Sequence, residues 1–173
     1  PNDIVLVRRN NGTAIWSGNS NNGTTQNGSQ LCGQRSNCPN LTTGIYRMAY
    51  KFDGSDDYIN ISVTQVKSAS SLWYKNSTAT SWTFAANNGT AFFTNGVDGT
   101  PVQYPINITG TRVRIGINYS GSQYFNGTID EVRIWSRTLN STEIYQYYIS
   151  NLQRFNYTQW YLYVNQSRNV TSG

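Results

Sequence analysis

The chain has no histidine, one methionine and two cysteines, and only 12% of its 173 residues are charged. Soluble domains average about 25% charged residues, so hydration has to come from uncharged polar groups. The acids number eight: Asp3, Asp53, Asp56, Asp57, Asp98, Asp130, Glu131 and Glu143. Without histidine, a nucleophile–base dyad is hard to assemble, and no sequence constellation supports an enzyme. No apolar run reaches the ~18 residues needed to cross a bilayer as a helix. Neither an initiator methionine nor a leader-like apolar segment is present, so the chain reads as a mature or excised ectodomain. The formal net charge of +5 comes from scattered residues, with Arg8–Arg9 and Arg112/Arg114 as the close pairs. Nucleic-acid binding needs a contiguous basic stripe, so that class is set aside.

What is present is aromatic and amide-rich. Aromatics make up 14%, including 13 tyrosines and 5 tryptophans, which excludes a disordered chain. The length suits one domain with a real core. Cys32 and Cys38 sit in LCGQRSNCP. A zinc site would need three or four Cys or His ligands, and no others exist, so the pair reads as a short disulfide clipping a polar loop. That implies an oxidising compartment.

Fourteen Asn-x-Ser/Thr sequons occur, at Asn11, Asn22, Asn27, Asn40, Asn60, Asn76, Asn88, Asn107, Asn118, Asn126, Asn140, Asn156, Asn165 and Asn169. Random placement of the 22 asparagines among 37 serines and threonines gives about 5. Asn-Gly turns explain Asn11, Asn22, Asn27, Asn88 and Asn126. They do not explain Asn60 in DYINISV or Asn118 in TRVRIGIN. There Ile59, Ile61 and Val63 share one strand face, as do Val113, Ile115 and Ile117, and both asparagines fall on the opposite, polar face. N-linked glycans on these sites, and an extracellular, cell-surface location, are the expectation.

The pattern is mostly short strands. Strands are predicted at 3–9, 45–52, 57–63, 70–75, 81–86, 90–94, 111–118, 129–135 and 157–164, with 17–44 as a long polar loop. Such spacing indicates a sandwich or barrel. One helix is predicted from 141 to about 150, because Asn140 and Glu143 form a capping box ahead of Ile144, Tyr147, Tyr148 and Leu152. The division expected is a β-sandwich over 1–150 and a strand or tail over 151–173.

FDGSDDYI at 52–59, followed by FNGTIDEVRIWSRTLNSTEI at 125–144, resembles the laminin-G-like branch of the concanavalin A-like lectin/glucanase superfamily. SGNSNNGT at 17–24 and WTFAANNGTAFFTNGV at 82–97 add to the likeness, which spans roughly 16–150. The resemblance implies an all-β jelly roll of two antiparallel sheets with one short C-terminal helix, in a non-catalytic module for adhesion or glycan recognition. Its glucanases carry an alternating acidic run that is missing here. It also implies a structural Ca²⁺, with Asp130 and oxygens around Asp53 and Gly54 as ligands. On that reading Asp130 shares a core-facing side with Val132 and Ile134. The turn at Asp53 is not an EF-hand, since its sixth position is Tyr58 and its twelfth is Thr64. Only six residues separate WYK at 73–75 from WTF at 82–84, so a sheet is expected short or open. An open edge templates pairing with another chain, and the flanking strands at 3–9 and 157–164 could fill it in cis or in trans. A filament or surface-layer subunit built by strand exchange is therefore the alternative. Partners expected are glycans, surface proteins or copies of the chain. Trp16, Trp73, Trp82, Trp135 and Trp160 are the aromatics considered for a sugar platform, with core packing the competing role.

Overall fold

The structure is a computed structural model that describes residues 39–46, 48–63 and 68–156, together with the backbone of four strands within 1–38. In chain order the strands are β1 (Ile4–Val7), β2 (Thr13–Ser17), β3 (Gly23–Asn27), β4 (Gln30–Leu31), β5 (Asn40–Thr43), β6 (Met48–Asp53), β7 (Asp57–Ser62) and β8 (Ala69–Asn76). They continue with β9 (Thr83–Asn87), β10 (Phe92–Thr94), β11 (Val97–Asp98), β12 (Ile106–Thr109), β13 (Arg112–Ile115) and β14 (Asn126–Trp135). A single helix, α1 (Ser141–Asn156), follows among the described residues.

Two antiparallel sheets face each other as a jelly-roll sandwich. One runs β11-β10-β9-β8-β14, and the other runs β3-β7-β13-β12. On its second edge β14 pairs first with β6 and then with β1. β2 pairs with both β1 and β3, joining the sheets along one side. The Asp53–Asp57 turn thus connects strands of different sheets. The core between them holds Phe52, Ile59, Ile61, Leu72, Ile106, Val113, Ile115, Ile129, Val132 and Ile134. Ile59 and Ile61 of β7 and Val113 and Ile115 of β13 point inward, as strand parity predicts.

A second apolar cluster covers the other face of the β8 sheet. Trp73, Phe84 and Trp135 meet Ile144, Tyr147, Tyr148 and Leu152 of α1 there. β8 is consequently buried on both faces, which is why its sequence shows no polar alternation. The capping box forms as expected: Glu143 N–H donates to Asn140 Oδ1 (2.8 Å), and Asn140 N–H donates to Glu143 Oε2 (2.9 Å). Arg137 adds a two-pronged contact to the same carboxylate.

Several expectations are corrected. The helix runs six residues past 150, with Leu152 still packed on the second cluster. The polar segment 17–44 contains β3, β4 and β5, whose pairing comes from neighbouring strands rather than from apolar alternation. β12 was hidden behind its short INIT sequence. After WYK, β8 ends at Asn76 and residues 77–82 form a simple turn into β9. The N-terminal strand takes one of the two arrangements expected for it, in cis, between β14 and β2. The segment 157–173 lies outside the described residues.

Candidate functional site

Two loops meet at one end of the sandwich: 100–105, entering β12, and 118–125, between β13 and β14. Backbone bonds stitch them together, with Gly116 N–H on the Pro105 carbonyl (2.9 Å) and Phe125 N–H on the Gly116 carbonyl (2.8 Å). Gly116 has a φ of 95°, and a Cβ there would run into the Phe52 ring, so only glycine fits this crossing. Asn118 organises the second loop. Its Oδ1 accepts from the Ser120 hydroxyl (3.0 Å), the Ser122 amide (2.9 Å) and the Gln123 amide (3.1 Å).

Between the loops lies a cleft of about 360 Å³, walled by Phe92, Tyr119 and Tyr124 and edged by Gln103, Asn118 and Gln123. Tyr119 is 57% exposed, and Tyr124 is exposed too. Phe92 braces the wall, meeting Tyr119 (5.4 Å between centroids) and Tyr104 (5.1 Å) edge-on. A second cavity of about 280 Å³ shares Tyr104 and Tyr119 with the first and reaches Ser70 and Asn87. The Tyr104 hydroxyl donates to the Ser70 carbonyl (2.8 Å). Burial pushes its pKa well above the ordinary tyrosine range, so it stays protonated. Among the described residues no charged side chain lines either cavity. The surface combines aromatic faces with amide and hydroxyl groups, a set that suits an uncharged, hydroxylated ligand.

The metal ligands expected from the resemblance are not brought together. Asn126 of β14 pairs with Asp53, whereas Asp130 lies four residues further along, which at ~3.3 Å per residue is about 13 Å. Strand parity also fails at Asp130. The β14–β8 register shifts between Asp130 and Arg133, and Glu131 takes a φ of 47°. This bulge leaves Ile129, Val132 and Ile134 in the inter-sheet core and pairs Asp130 with Trp73, on the side of the second cluster. Asp130 accepts from the amides of Tyr46 (3.1 Å) and Glu131 (2.8 Å). A Cβ on Gly44 would overlap its carboxylate. The bulge falls where β14 exchanges β6 for β1, and Asp130 ties the 44–46 loop to it.

The Asp53–Asp57 turn gathers three carboxylates instead, with oxygens of Asp53, Asp56 and Asp57 within 4.8 Å of one another. Asp53 Oδ1 is occupied by the Ser55 amide (2.8 Å). Asp57 is 2% exposed, and its Oδ2 accepts from the Asp53 amide (3.2 Å), while its Oδ1 is buried without a hydrogen-bond partner among the described residues. Burial, followed by the Asp53 charge, raises its pKa from 3.8 to about 6. An orphaned buried carboxylate oxygen beside two others suits a hard cation. Gly54, with a φ of 84°, shapes this turn.

The sequons scatter over the surface. Asn40, Asn126 and Asn140 are exposed, Asn60, Asn76, Asn88 and Asn118 are half-buried, and Asn107 is buried. Asn27 and Asn156 lie in β3 and α1, with side chains not described. Asn11, Asn22, Asn165, Asn169, Cys32 and Cys38 lie outside the described residues. Of the tryptophans, Trp73 and Trp135 are core, and Trp82 is half-buried under Lys75 (5.7 Å). The side chain of Trp16 and all of Trp160 are not described. The exposed aromatics of the cleft are tyrosines that tryptophan-centred reasoning missed. Their signal was two tyrosines inside the Ser/Gly loop NYSGSQYF, where core packing could not claim both.

No curated protein matches the chain in sequence. Among solved structures it is similar to domain 4 of AbnA, a GH43 extracellular arabinanase from Geobacillus stearothermophilus, in complex with arabinotriose. The two share 17% identity with a TM-score of 0.51, over 72% of this chain and 86% of that one, a likeness of fold. Residues 44–145, more than half the chain, match the family model described as concanavalin A-like lectin/glucanases superfamily. With its laminin-G-like sandwich and its capping helix, the chain belongs to the concanavalin A-like lectin/glucanase superfamily.

Proposed function

We propose that the protein is a non-catalytic, extracellular carbohydrate-recognition module that binds neutral oligosaccharides in the Tyr119–Tyr124 cleft. The observation that carries this reading is an uncharged cleft whose walls are solvent-exposed tyrosine rings and whose rim is amide. Tyrosine faces stack on the C–H faces of sugar rings, and the amides of Gln103, Asn118 and Gln123 can pair with hydroxyls. The arabinotriose carried by the structural neighbour supports the ligand class. No carboxylate lines either cavity among the described residues, whereas a glycosidase needs two carboxyls flanking the scissile bond. The family expectation of Ca²⁺ is moved to the Asp53–Asp57 turn, where Asp57 Oδ1 has no hydrogen-bond partner among the described residues. There Asp53, Asp56 and Asp57 would hold the ion and brace the corner between the sheets. N-glycans on the exposed sequons would add hydration at the cell surface. The pairing of β1 with β14 and β2 of its own chain supports recognition over strand exchange through that strand.

The test is titration calorimetry of the wild-type chain with a panel of neutral and acidic oligosaccharides, arabinotriose included. Binding of a neutral member, abolished in Tyr119→Ala, is the expected result. Binding confined to acidic sugars, or unaffected by Tyr119→Ala, would overturn the reading.

A further inference from the structure

We infer that Asn107, although it heads an Asn-Ile-Thr sequon, stays free of sugar and serves as the positioning residue for Tyr119, one of the two rings shared by both cavities. Ile106 and Ile108 of β12 face the sandwich core, so alternation turns Asn107 outward. An outward asparagine on an edge strand is the usual glycan acceptor. Here the loop carrying Tyr119 folds over it, leaving the residue 8% exposed. The Asn107 Nδ2 donates to the Tyr119 carbonyl at 2.7 Å, and its Oδ1 accepts from the Thr109 hydroxyl at 3.1 Å. Gly121, with a φ of 75°, lies beside the same amide in that loop.

An N-linked sugar replaces one of the two Nδ2 hydrogens with a pyranose. One hydrogen is committed to Tyr119 and the residue is 8% exposed beneath the loop, so a pyranose on the nitrogen and the folded loop exclude each other. Asn88 presents the opposite geometry. Its Oδ1 takes both the amide (2.9 Å) and the hydroxyl (3.0 Å) of Thr90, and no protein group among the described residues engages its Nδ2. Asn76 is arranged in the same way with Thr78. The sequon triplet alone cannot tell these cases apart. The consequence for the cleft rests on the carbohydrate reading: the Asn107–Tyr119 bond fixes the backbone from which the Tyr119 ring projects against Phe92.

The experiment uses the full chain secreted by a eukaryotic cell that glycosylates sequons, mapped by enzymatic deglycosylation in heavy-oxygen water. Asn88 is expected to carry the label and Asn107 is not. Thr90→Ala should lose one glycan's mass, whereas Thr109→Ala should lose none. Sugar on Asn107, or loss of a glycan in Thr109→Ala, overturns the inference. Hydrogen exchange tests the positioning role. Asn107→Asp keeps the contact with Thr109 but turns an oxygen toward the Tyr119 carbonyl. Amides of Gly121, Ser122 and Gln123 should then exchange about tenfold faster, with β13 and β14 unchanged. Asn107→Ser replaces it should the aspartate fail to fold. Unchanged loop protection in the folded variant refutes the positioning role. Affinity for whichever neutral oligosaccharide the wild type binds should fall about tenfold in Asn107→Asp and hold in Thr109→Ala. If no oligosaccharide binds the wild type, the carbohydrate reading fails, while sugar mapping and exchange still decide this one.

Discussion

Replacing Asp57 by asparagine should make the calcium-free protein more stable at neutral pH. Asp57 is 2% exposed at the corner between the sheets, its Oδ1 has no partner among the described residues, and the Asp53 and Asp56 carboxylates are within 4.8 Å. Its pKa rises from 3.8 to about 6, chiefly through burial and then through Asp53. A carboxyl whose folded pKa lies above its unfolded one binds its proton more tightly in the native state. Its contribution is therefore most favourable below about pH 4, is lost as the pH rises through 6, and stays unfavourable above that. At ~1.4 kcal/mol per unit the upper bound is about 3 kcal/mol. Screening at this solvent-facing turn reduces it to ~1–2 kcal/mol. At ~2–4 °C per kcal/mol for a chain of this size, Asp57→Asn should raise Tm by roughly 2–8 °C at pH 7.5. The asparagine can still accept from the Asp53 amide, and its NH₂ group can donate to the neighbouring carboxylates. Thermal unfolding followed by circular dichroism in EDTA, from pH 4 to 8, reads the difference between variant and wild type. That difference should be small at pH 4, grow to pH 6 and level off above it. Millimolar Ca²⁺ should raise the wild-type Tm and leave Asp57→Asn unmoved. A variant no more stable than the wild type at pH 7.5, or a difference that shrinks with rising pH, would refute the charge-crowding account.

Three further outcomes are expected. Tyr124→Ala should weaken oligosaccharide binding about tenfold in calorimetry, consistent with ~1.4 kcal/mol for one stacking wall, with the far-ultraviolet spectrum unchanged. Asn140→Ala removes the acceptor for the Glu143 amide. In unglycosylated protein it should cost about 1 kcal/mol, read as a lower urea midpoint at constant slope. Gly116→Ala combines a φ of 95° with overlap of the Phe52 ring. The backbone strain alone is ~1–3 kcal/mol, so a larger drop in urea midpoint than for Asn140→Ala is expected, together with a weakened cleft.

The two-layer β architecture was legible in the sequence because Ile59/Ile61 and Val113/Ile115 alternate with polar residues and burial enforces that parity. The capping box was equally legible, since Asn140 and Glu143 satisfy each other's backbone within one turn and need no distant partner. β3, β4 and β5 were not, because polar strands are stabilised by the neighbours they pair with, and pairing is a long-range property. The helix end was missed for a related reason: Leu152 packs on a cluster assembled from distant strands, past the 150 that local spacing gave.

The candidate site divides along the same line. Residue content determined that the polar surface would be aromatic and amide rather than acidic, and it placed the sequons in the chain. Only tertiary structure decided which residues act together. A bulge at Glu131 turned Asp130 away from the inter-sheet core and about 13 Å from Asp53. A loop closing over β12 enclosed the Asn107 amide that alternation had pointed to solvent. Local spacing fixes a side chain's direction only while the strand stays regular and uncovered, and both conditions are set by parts of the chain distant in sequence.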